Sequence, residues 1–336
     1  MTIYRVLVWS AYGFWNYTKA GFERRAKSFN PEATEKSLFG KVAIVSGANS
    51  GLGKLTAREL WKKGAIVHML CRSPERGEEA RKEILSSVEL SAEQKHSAEE
   101  RLKLHEVDIS DPRSIQTFVR NWEAQGDPSC HILINNAGCM VNERKTTADG
   151  VELNFATNTL GTYYLTKLMI PLLQKSESPR VVTVSSGGMY SAKLDADDPE
   201  CRKVKKFDGT AIYAQNKRQQ VELNERWASD FGSSGVLFYS MHPGWSDTPG
   251  VSTSMESFYK SMKSRLRTPE QGADTIIWAA VSDEVLKYPN GSFLEDRRAV
   301  STHLALAQTR STKAEQDRLI QYIENLLTKI VGESSK

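Results

Sequence analysis

Eight residues constrain the chain most: Ser46-Gly47-Ala48-Asn49-Ser50-Gly51-Leu52-Gly53, set between the β-branched run Lys41-Val42-Ala43-Ile44-Val45-Ser46 and residues 52–61. A short, nearly continuous apolar run reads as a parallel strand covered on both faces. Leu52, Leu55, Ala57, Leu60 and Trp61 supply the apolar stripe of a helix. Glycines between the two permit a tight turn and close backbone approach to a pyrophosphate, and the free amides of the helix start can receive its charge. The competing reading is a plain strand-helix turn, which the flanking elements disfavour.

The alternation continues. Strands are predicted over residues 66–71, 102–107, 131–135, 180–185 and 236–240, separated by helices over 75–85, 112–125, 150–173 and 211–231, the third shaped near Asn158. A polar connection is predicted over 86–99, a helix over 269–281, a last strand over 291–294 and a terminal amphipathic helix over 313–330. The expected fold is α/β and doubly wound, of Rossmann type, with a mainly parallel central sheet of about seven strands and flanking helices. At 336 residues the chain accommodates an aromatic and basic extension (1–39), one large domain (40–299) and a C-terminal helical extension (300–336).

Cofactor choice is read at the end of the second strand, in Cys71-Arg72-Ser73-Pro74. A carboxylate there would bind a ribose 2′-hydroxyl, whereas a 2′-phosphate calls for a cation. Arg72 has no acid beside it, and its guanidinium forks onto phosphate oxygens, so NADP(H) is favoured over NAD(H). Tyr213-Ala214-Gln215-Asn216-Lys217 places a tyrosine and a lysine on one helix face. Chance supplies such pairs often, but this one follows a strand ending in Ser185-Ser186 and a domain opening on the glycine loop.

Together these segments resemble the short-chain dehydrogenase/reductase family, over roughly residues 40–294, with Ser46 where the family carries threonine. The resemblance implies a cofactor loop of Ser46, Gly47, Asn49, Ser50, Gly51, Leu52 and Gly53, with Asn49 and Ser50 towards the adenine ribose. It further implies that Asp108 and Ile109 border the adenine, and that Asn135, Ala137 and Gly138 belong to the structural Asn-Asn-Ala-Gly wall. Pro243, Gly244 and Thr248 would close over the nicotinamide. The catalytic set carried over is Asn158, Ser186, Tyr213 and Lys217, with Ser185 the competitor for the serine. Tyr213 would exchange the proton, Lys217 would favour the phenolate and hold ribose hydroxyls, Ser186 would polarise the substrate oxygen, and Asn158 would position a water. His242 reads as structural, because the tyrosine and lysine already supply the proton chemistry.

Residues 191–209 lengthen the gap between Ser186 and Tyr213 and are expected to form a charged loop near the substrate mouth. Residues 258–267 mix aromatic, apolar and basic side chains, either as a substrate-specificity region or as a helix packing through one face.

Lys plus Arg number 45 against 41 Asp plus Glu, net +4, with no long basic stripe, which argues against a nucleic-acid partner. Six dispersed histidines and four dispersed cysteines show no metal-ligand spacing, so no metal is expected. The cysteines suit a reducing compartment and an intracellular, cytoplasmic location. Residues 6–18 are uncharged and aromatic, too short to span a bilayer, which takes about 20 residues, and are followed by basic residues. Two readings stay open: rings packed over the main domain, or peripheral membrane contact through residues 1–29. Homo-oligomerisation also stays open.

The function expected is an NADP(H)-dependent oxidoreductase interconverting a carbonyl and an alcohol on a small to medium apolar or lipid-like substrate. The alternative is a catalytically weak NADP(H)-binding regulatory or membrane-associated interaction protein.

Overall fold

In a computed structural model, which describes residues 2–89, 92–124, 126 and 129–332, the apolar run after Lys41 becomes strand β1 (Val42–Ser46). Its side chains alternate between two cores. Ala43 and Val45 enter one and Ile44 the other, all fully buried, which is why the run is apolar at every position. Residues 1, 90, 91, 125, 127, 128 and 333–336 lie outside the described residues, and with them the ends of the expected helix over 112–125 and of both terminal extensions.

Two helices precede the strand, α1 (Thr2–Asn16) and α2 (Lys19–Ala26). After it the chain runs α3 (Gly51–Lys62), β2 (Ile66–Cys71), α4 (Pro74–Ser86), α5 (Ala92–Glu100), β3 (Leu102–Glu106), α6 (Pro112–Glu123) and β4 (Ile132–Asn135). The second half runs α7 (Leu153–Phe155), a π-helical turn (Ala156–Gly161), α8 (Thr162–Leu173), β5 (Arg180–Val184), α9 (Gly209–Phe231) and β6 (Leu237–His242). It closes with α10 (Pro249–Ser254), α11 (Glu256–Met262), α12 (Pro269–Val281), β7 (Phe293–Glu295), β8 (Arg298–Val300) and α13 (Lys313–Val331).

The sheet has eight strands in the order β3-β2-β1-β4-β5-β6-β7-β8, parallel throughout except for the antiparallel pair β7/β8. It therefore exceeds the expected strand number by the short return strand after the turn at Asp296-Arg297, both at positive φ. The polar connection over 86–99 also differs: it contains α5, whose Ala98 reaches the core and whose carbonyl accepts from Trp61 Nε1 at 3.0 Å. Polarity conceals this helix, because a surface helix contacting the core at one small residue leaves little periodicity.

Residues of α3, α4 and α12 fill one core, while those of α6, α8, α9 and α13 fill the other. The strand order reverses between β1 and β4, so a crevice opens there at the carboxyl ends of the strands. Gly47, Arg72, Asp108, Asn136, Ser186 and Pro243 all follow strand ends on that edge.

Candidate active site

The glycine loop is held by the hydroxyl of Ser46. Ser46 Oγ donates to Ile134 O (3.2 Å) and accepts from Asn136 N and Ala137 N (both 3.0 Å), tying the end of β1 to the end of β4. That explains why a hydroxyl is needed and why serine suffices. Gly47 has φ of +65°, and a Cβ on it would lie 2.9 Å from Ala137 Cα; a Cβ on Gly53 would collide with Gly47 O. Asn136 Nδ2 braces the same turn through Ser46 O and Gly47 O at 3.0 and 3.2 Å.

Ser50 caps α3 without a side-chain hydrogen bond, and Asn49 is half-buried, so their polar groups are unspent at the crevice. Thr248 caps α10 through Val251 N (3.3 Å), and its side chain faces Gly51 at 3.6 Å from an added Cβ. Leu52 packs partly buried against the α3 core. Arg72 is exposed and pairs with no carboxylate among the described residues. The nearest acid in sequence, Glu75, accepts from Ser73 Oγ at 2.8 Å, and that bond holds its carboxyl below the usual range. A crevice lined by glycine backbone, unspent polar groups and an unpaired guanidinium fits a phosphorylated dinucleotide.

Several residues expected at the cofactor also brace the fold. Ser46 and Asn135 are buried, and Asn135 Nδ2 donates to Thr166 Oγ1 (2.8 Å). Asp108 Oδ1 accepts from Ser110 N and Oγ at 2.8 and 2.7 Å, shaping the turn after β3, while Ile109 lies in the core.

The cluster of Asn158, Tyr213 and Lys217 sits where β4, β5 and α9 meet. Lys217 is buried, and its Nζ donates to Val184 O (2.8 Å) and Gln220 Oε1 (3.0 Å), 5.2 Å from the Tyr213 ring centroid. Gln220 Nε2 donates to Asn158 O (2.6 Å), so one buried amide links the lysine to the asparagine carbonyl. The Asn158 side chain is committed to Cys139: its Oδ1 accepts from Cys139 N (2.9 Å) and its Nδ2 donates to Cys139 O (2.8 Å). The π-helical turn around Asn158 makes this reach. A Cβ on Gly138 would stand 3.1 Å from Asn158 Oδ1 and 3.6 Å from Lys217 Nζ, so the wall of the Asn-Asn-Ala-Gly segment adjoins the lysine.

The two serines divide cleanly. Ser185 is buried and donates to Lys217 O (2.9 Å), bracing α9 on β5. Ser186 is half-buried, caps the 3-10 turn Gly187–Ser191 by accepting from Gly188 N (3.1 Å), and keeps its own proton to donate. A Cβ on Gly188 would stand 3.4 Å from Ser186 Oγ and 4.0 Å from Ala214 Cβ, so the Ser186 turn packs on α9 one residue after Tyr213.

Burial pushes Lys217 down to about 7, opposed by the nearby Cys139 thiol. Burial, with Cys139 adding to it, holds Tyr213 well above its ordinary value. The Lys217 ammonium is hydrogen-bonded to a carbonyl and an amide rather than to the tyrosine. His242 is buried, and burial followed by the Arg267 charge drives its pKa far down, so it is a neutral core residue.

The other side of the cleft is built partly by the N-terminal segment. Tyr17 packs its ring on Gly187, where a Cβ would meet it at 2.5 Å, and 4.0 Å from the His242 ring. Tyr17 O accepts from Trp245 N (2.8 Å), and its hydroxyl donates to Glu295 (2.9 Å), as does that of Tyr12 (2.8 Å). Burial raises Glu295 to about 7, and the two tyrosines oppose the rise. Arg267 donates to Tyr17 O (3.1 Å), Asn16 O (2.6 Å) and both carboxylate oxygens of Asp296 (2.7 and 3.1 Å). Residues 258–267 thus divide: Phe258 packs on Trp245 at 5.2 Å, whereas Arg267 is interior and unavailable to a substrate. A Cβ on Gly244 would run into the Arg267 guanidinium, so Pro243-Gly244 rests on this ion pair.

The charged insertion at 191–209 has no regular element of its own and is pinned to α13 through Lys193–Glu315, Arg318–Asp197 and Tyr322–Glu200 contacts. Two surface depressions of about 650 and 550 Å³ border β3 and share no residue with the Ser186, Tyr213 and Lys217 cluster.

Sequence reasoning missed Gln220, whose only signal is its i,i+3 spacing from Lys217 on α9. It also missed Tyr17, Arg267 and Glu295, which meet across 250 and 278 residues.

A doubly wound parallel sheet, a glycine turn at its switch point and a tyrosine-lysine pair on the facing helix define a dinucleotide-dependent oxidoreductase class. Residues 41–193 match the family described as short chain dehydrogenase. The chain is 48% identical over 326 residues to Dehydrogenase/reductase SDR family member 12 of Homo sapiens, covering 97% of this chain and 98% of that protein. It is 33% identical to Retinol dehydrogenase 11 of Mus musculus over 77% of this chain and 78% of the relative. The crystal structure of an uncharacterized protein from Mycobacterium Paratuberculosis superposes with a TM-score of 0.64 at 26% identity, covering 88% of this chain and 96% of that one. The chain belongs to the short-chain dehydrogenase/reductase family, oxidoreductases that bind a nicotinamide cofactor and act on small molecules.

Proposed function

We propose that the chain is an NADP(H)-dependent oxidoreductase that interconverts a carbonyl and an alcohol on an apolar, lipid-like substrate. The observation carrying the proposal is the buried array of Lys217, Gln220 and Asn158 beside Tyr213 and Ser186, at the carboxyl edge of the switch point. When bound, the nicotinamide dinucleotide supplies or accepts the hydride. Gly47, Gly51, Leu52 and Gly53 would hold its pyrophosphate and Asn49 and Ser50 would face the adenine ribose, with Asp108 and Ile109 bordering the adenine and Ala137 and Gly138 forming the wall. Pro243, Gly244 and Thr248 would bound the nicotinamide end. Arg72 would hold the 2′-phosphate.

Ser186 Oγ donates a hydrogen bond to the substrate oxygen. Tyr213 gives that oxygen its proton in reduction and takes it back in oxidation. Lys217, fixed by Val184 O and Gln220, supplies positive charge near the tyrosine and a donor for ribose hydroxyls. Its downshift keeps it close to titration at neutral pH, suiting a group that passes protons. Asn158 shapes the Cys139 turn and presents its carbonyl to Gln220.

The substrate class rests on Tyr17 and Trp245, packed beside the Ser186 turn, and on Phe258, which packs on Trp245. Such a wall favours an apolar carbonyl over a charged one. The test follows NADPH oxidation with apolar aldehydes and ketones, and NADP reduction with their alcohols, in the parent and Tyr213→Phe. Turnover should fall by about 10²–10⁴-fold with dinucleotide binding retained. Equal turnover by both proteins would refute the proton-transfer role.

A further inference from the structure

Helix α1 has two faces, and the active-site wall uses one. Trp9, Tyr12, Gly13 and Asn16 pack inward, and Arg5 Nε donates to Ala307 O at 2.7 Å. The other face carries Ile3, Leu7, Phe14 and Trp15, exposed at 78, 64, 51 and 66%. Positions 3, 7, 11 and 14 recur at helical spacing, and Ala11 between them is also exposed, so the side chains form one solvent-facing apolar stripe. Leaving so many large apolar groups in water on one helix marks a surface that something covers.

Charge indicates what covers it. From Thr2 to Asn16 the only charged residue is Arg5, and the next eleven positions hold Lys19, Arg24, Arg25 and Lys27 against Glu23 alone. Arg24 stacks on exposed Trp15 at 4.4 Å and donates to its carbonyl at 2.7 Å, putting a cation at the edge of the stripe. At the other edge Phe14 touches Trp245 (5.4 Å) and Trp245 touches Phe258 of α11 (5.2 Å). Exposed Lys260, Lys263 and Arg265 follow there, with Glu256 pairing Lys260. The whole chain is nearly balanced, at 45 basic to 41 acidic residues, so the excess is a property of this margin. Two copies facing each other through the stripe would set like charges together, which disfavours a second copy as the occupant. Among the described residues no helix is long and apolar enough to cross a membrane.

We propose that this face docks on an anionic lipid surface, with α1 lying in the plane of the interface. Ile3, Leu7, Phe14 and Trp15 enter the acyl boundary, and the basic margin sits at headgroup level. Tyr17 and Trp245 join the docked helix to the Ser186 turn, so the cleft opens beside the lipid and receives apolar substrate from it. The last consequence rests on the oxidoreductase reading; the docking does not.

The experiment floats the full chain with phosphatidylcholine vesicles, with and without phosphatidylserine, at low and high salt. The parent should float with the anionic vesicles, about tenfold less with neutral ones or at high salt. A Leu7→Asp/Trp15→Asp variant should lose flotation by a similar factor while its thermal unfolding is unchanged. Absence of parent flotation, equal flotation of the variant, or equal binding to neutral vesicles would overturn the proposal. So would a parent sedimenting as a dimer that the variant dissolves, which would assign the stripe to a second copy. Flotation reads no turnover, so an inactive protein that floats refutes only the enzymatic reading.

Discussion

The glycine-loop half of the cleft and its substrate-side wall meet at the carboxyl edge of one sheet, but they are assembled over very different sequence distances. The loop is organised within eight residues and braced by the next strand, through Ser46 and Asn136. The wall joins Tyr17 to Gly187, Trp245 and Glu295, the last 278 residues away. Backbone geometry carries the first half and buried side-chain charge the second. A local motif therefore reports cofactor handling, while the substrate side is governed by residues that no short pattern contains.

The sharpest break would come from the N-terminal segment. Deleting residues 2–29 removes both hydroxyls from Glu295 and two carbonyls from Arg267, leaving buried charge short of partners. Loss of partners at such sites costs about 3–5 kcal/mol, and urea unfolding should show a drop of that size. Tyr17→Phe, which removes one donor, should cost about 1–3 kcal/mol. An unchanged midpoint in the deletion would mean that the wall stands without the segment.

Next in size is a control remote from both halves. His68 and His105 meet at 2.8 Å between β2 and β3, and burial lowers them to about 3 and about 4, with His105 and Lys103 adding to the effect on His68 and Lys103 to that on His105. Their folded values lie below the unfolded one, so the fold keeps them neutral. Stability is then full above about pH 6.5 and is lost as pH falls from about 6.5 towards 4, by about 1 kcal/mol per pH unit for the coupled pair. A His68→Leu/His105→Leu variant should flatten that part of the urea midpoint against pH, leaving the slope from carboxylates.

Arg72→Asp tests the local half directly. Discrimination for NADP over NAD should fall by about 10–100-fold, the worth of one charge-assisted contact, as read from the two Kd values. Unchanged preference would detach Arg72 from the 2′-phosphate.

Gln220, which links Lys217 to Asn158 between the two halves, gives the smallest effect. Gln220→Leu removes an acceptor that favours charged Lys217, moving the lysine's titration below about 7 and the alkaline limb of kcat downward. Gln220→Glu should move the limb upward. A merely structural role would shift neither limb in opposite senses, and about half a pH unit each way is expected.

Much of this was legible beforehand. The strand and helix alternation and the Tyr213–Lys217 pair follow from periodicity and spacing, and the π-helical turn falls at Asn158, where the long helix was expected to change shape; the switch-point crevice needed the observed strand order. Helix α5 escaped notice because its buried contact among the described side chains is an alanine. The interior place of Arg267 escaped because arginine in a basic run reads as surface, and only Asp296 across the fold reverses that. The resemblance puts Ser186 ahead of Ser185, and the structure adds which side of the strand end each serine faces.

The sequence by itself determined a doubly wound sheet, a glycine turn for a dinucleotide and a tyrosine-lysine pair, because backbone propensity and helix spacing act over a few residues. Only the tertiary structure decided that the N-terminal aromatics divide between a cleft wall and an exposed stripe. Which ring is buried depends on shape and charge brought from the far end of the chain, where Glu295 and Asp296 stand.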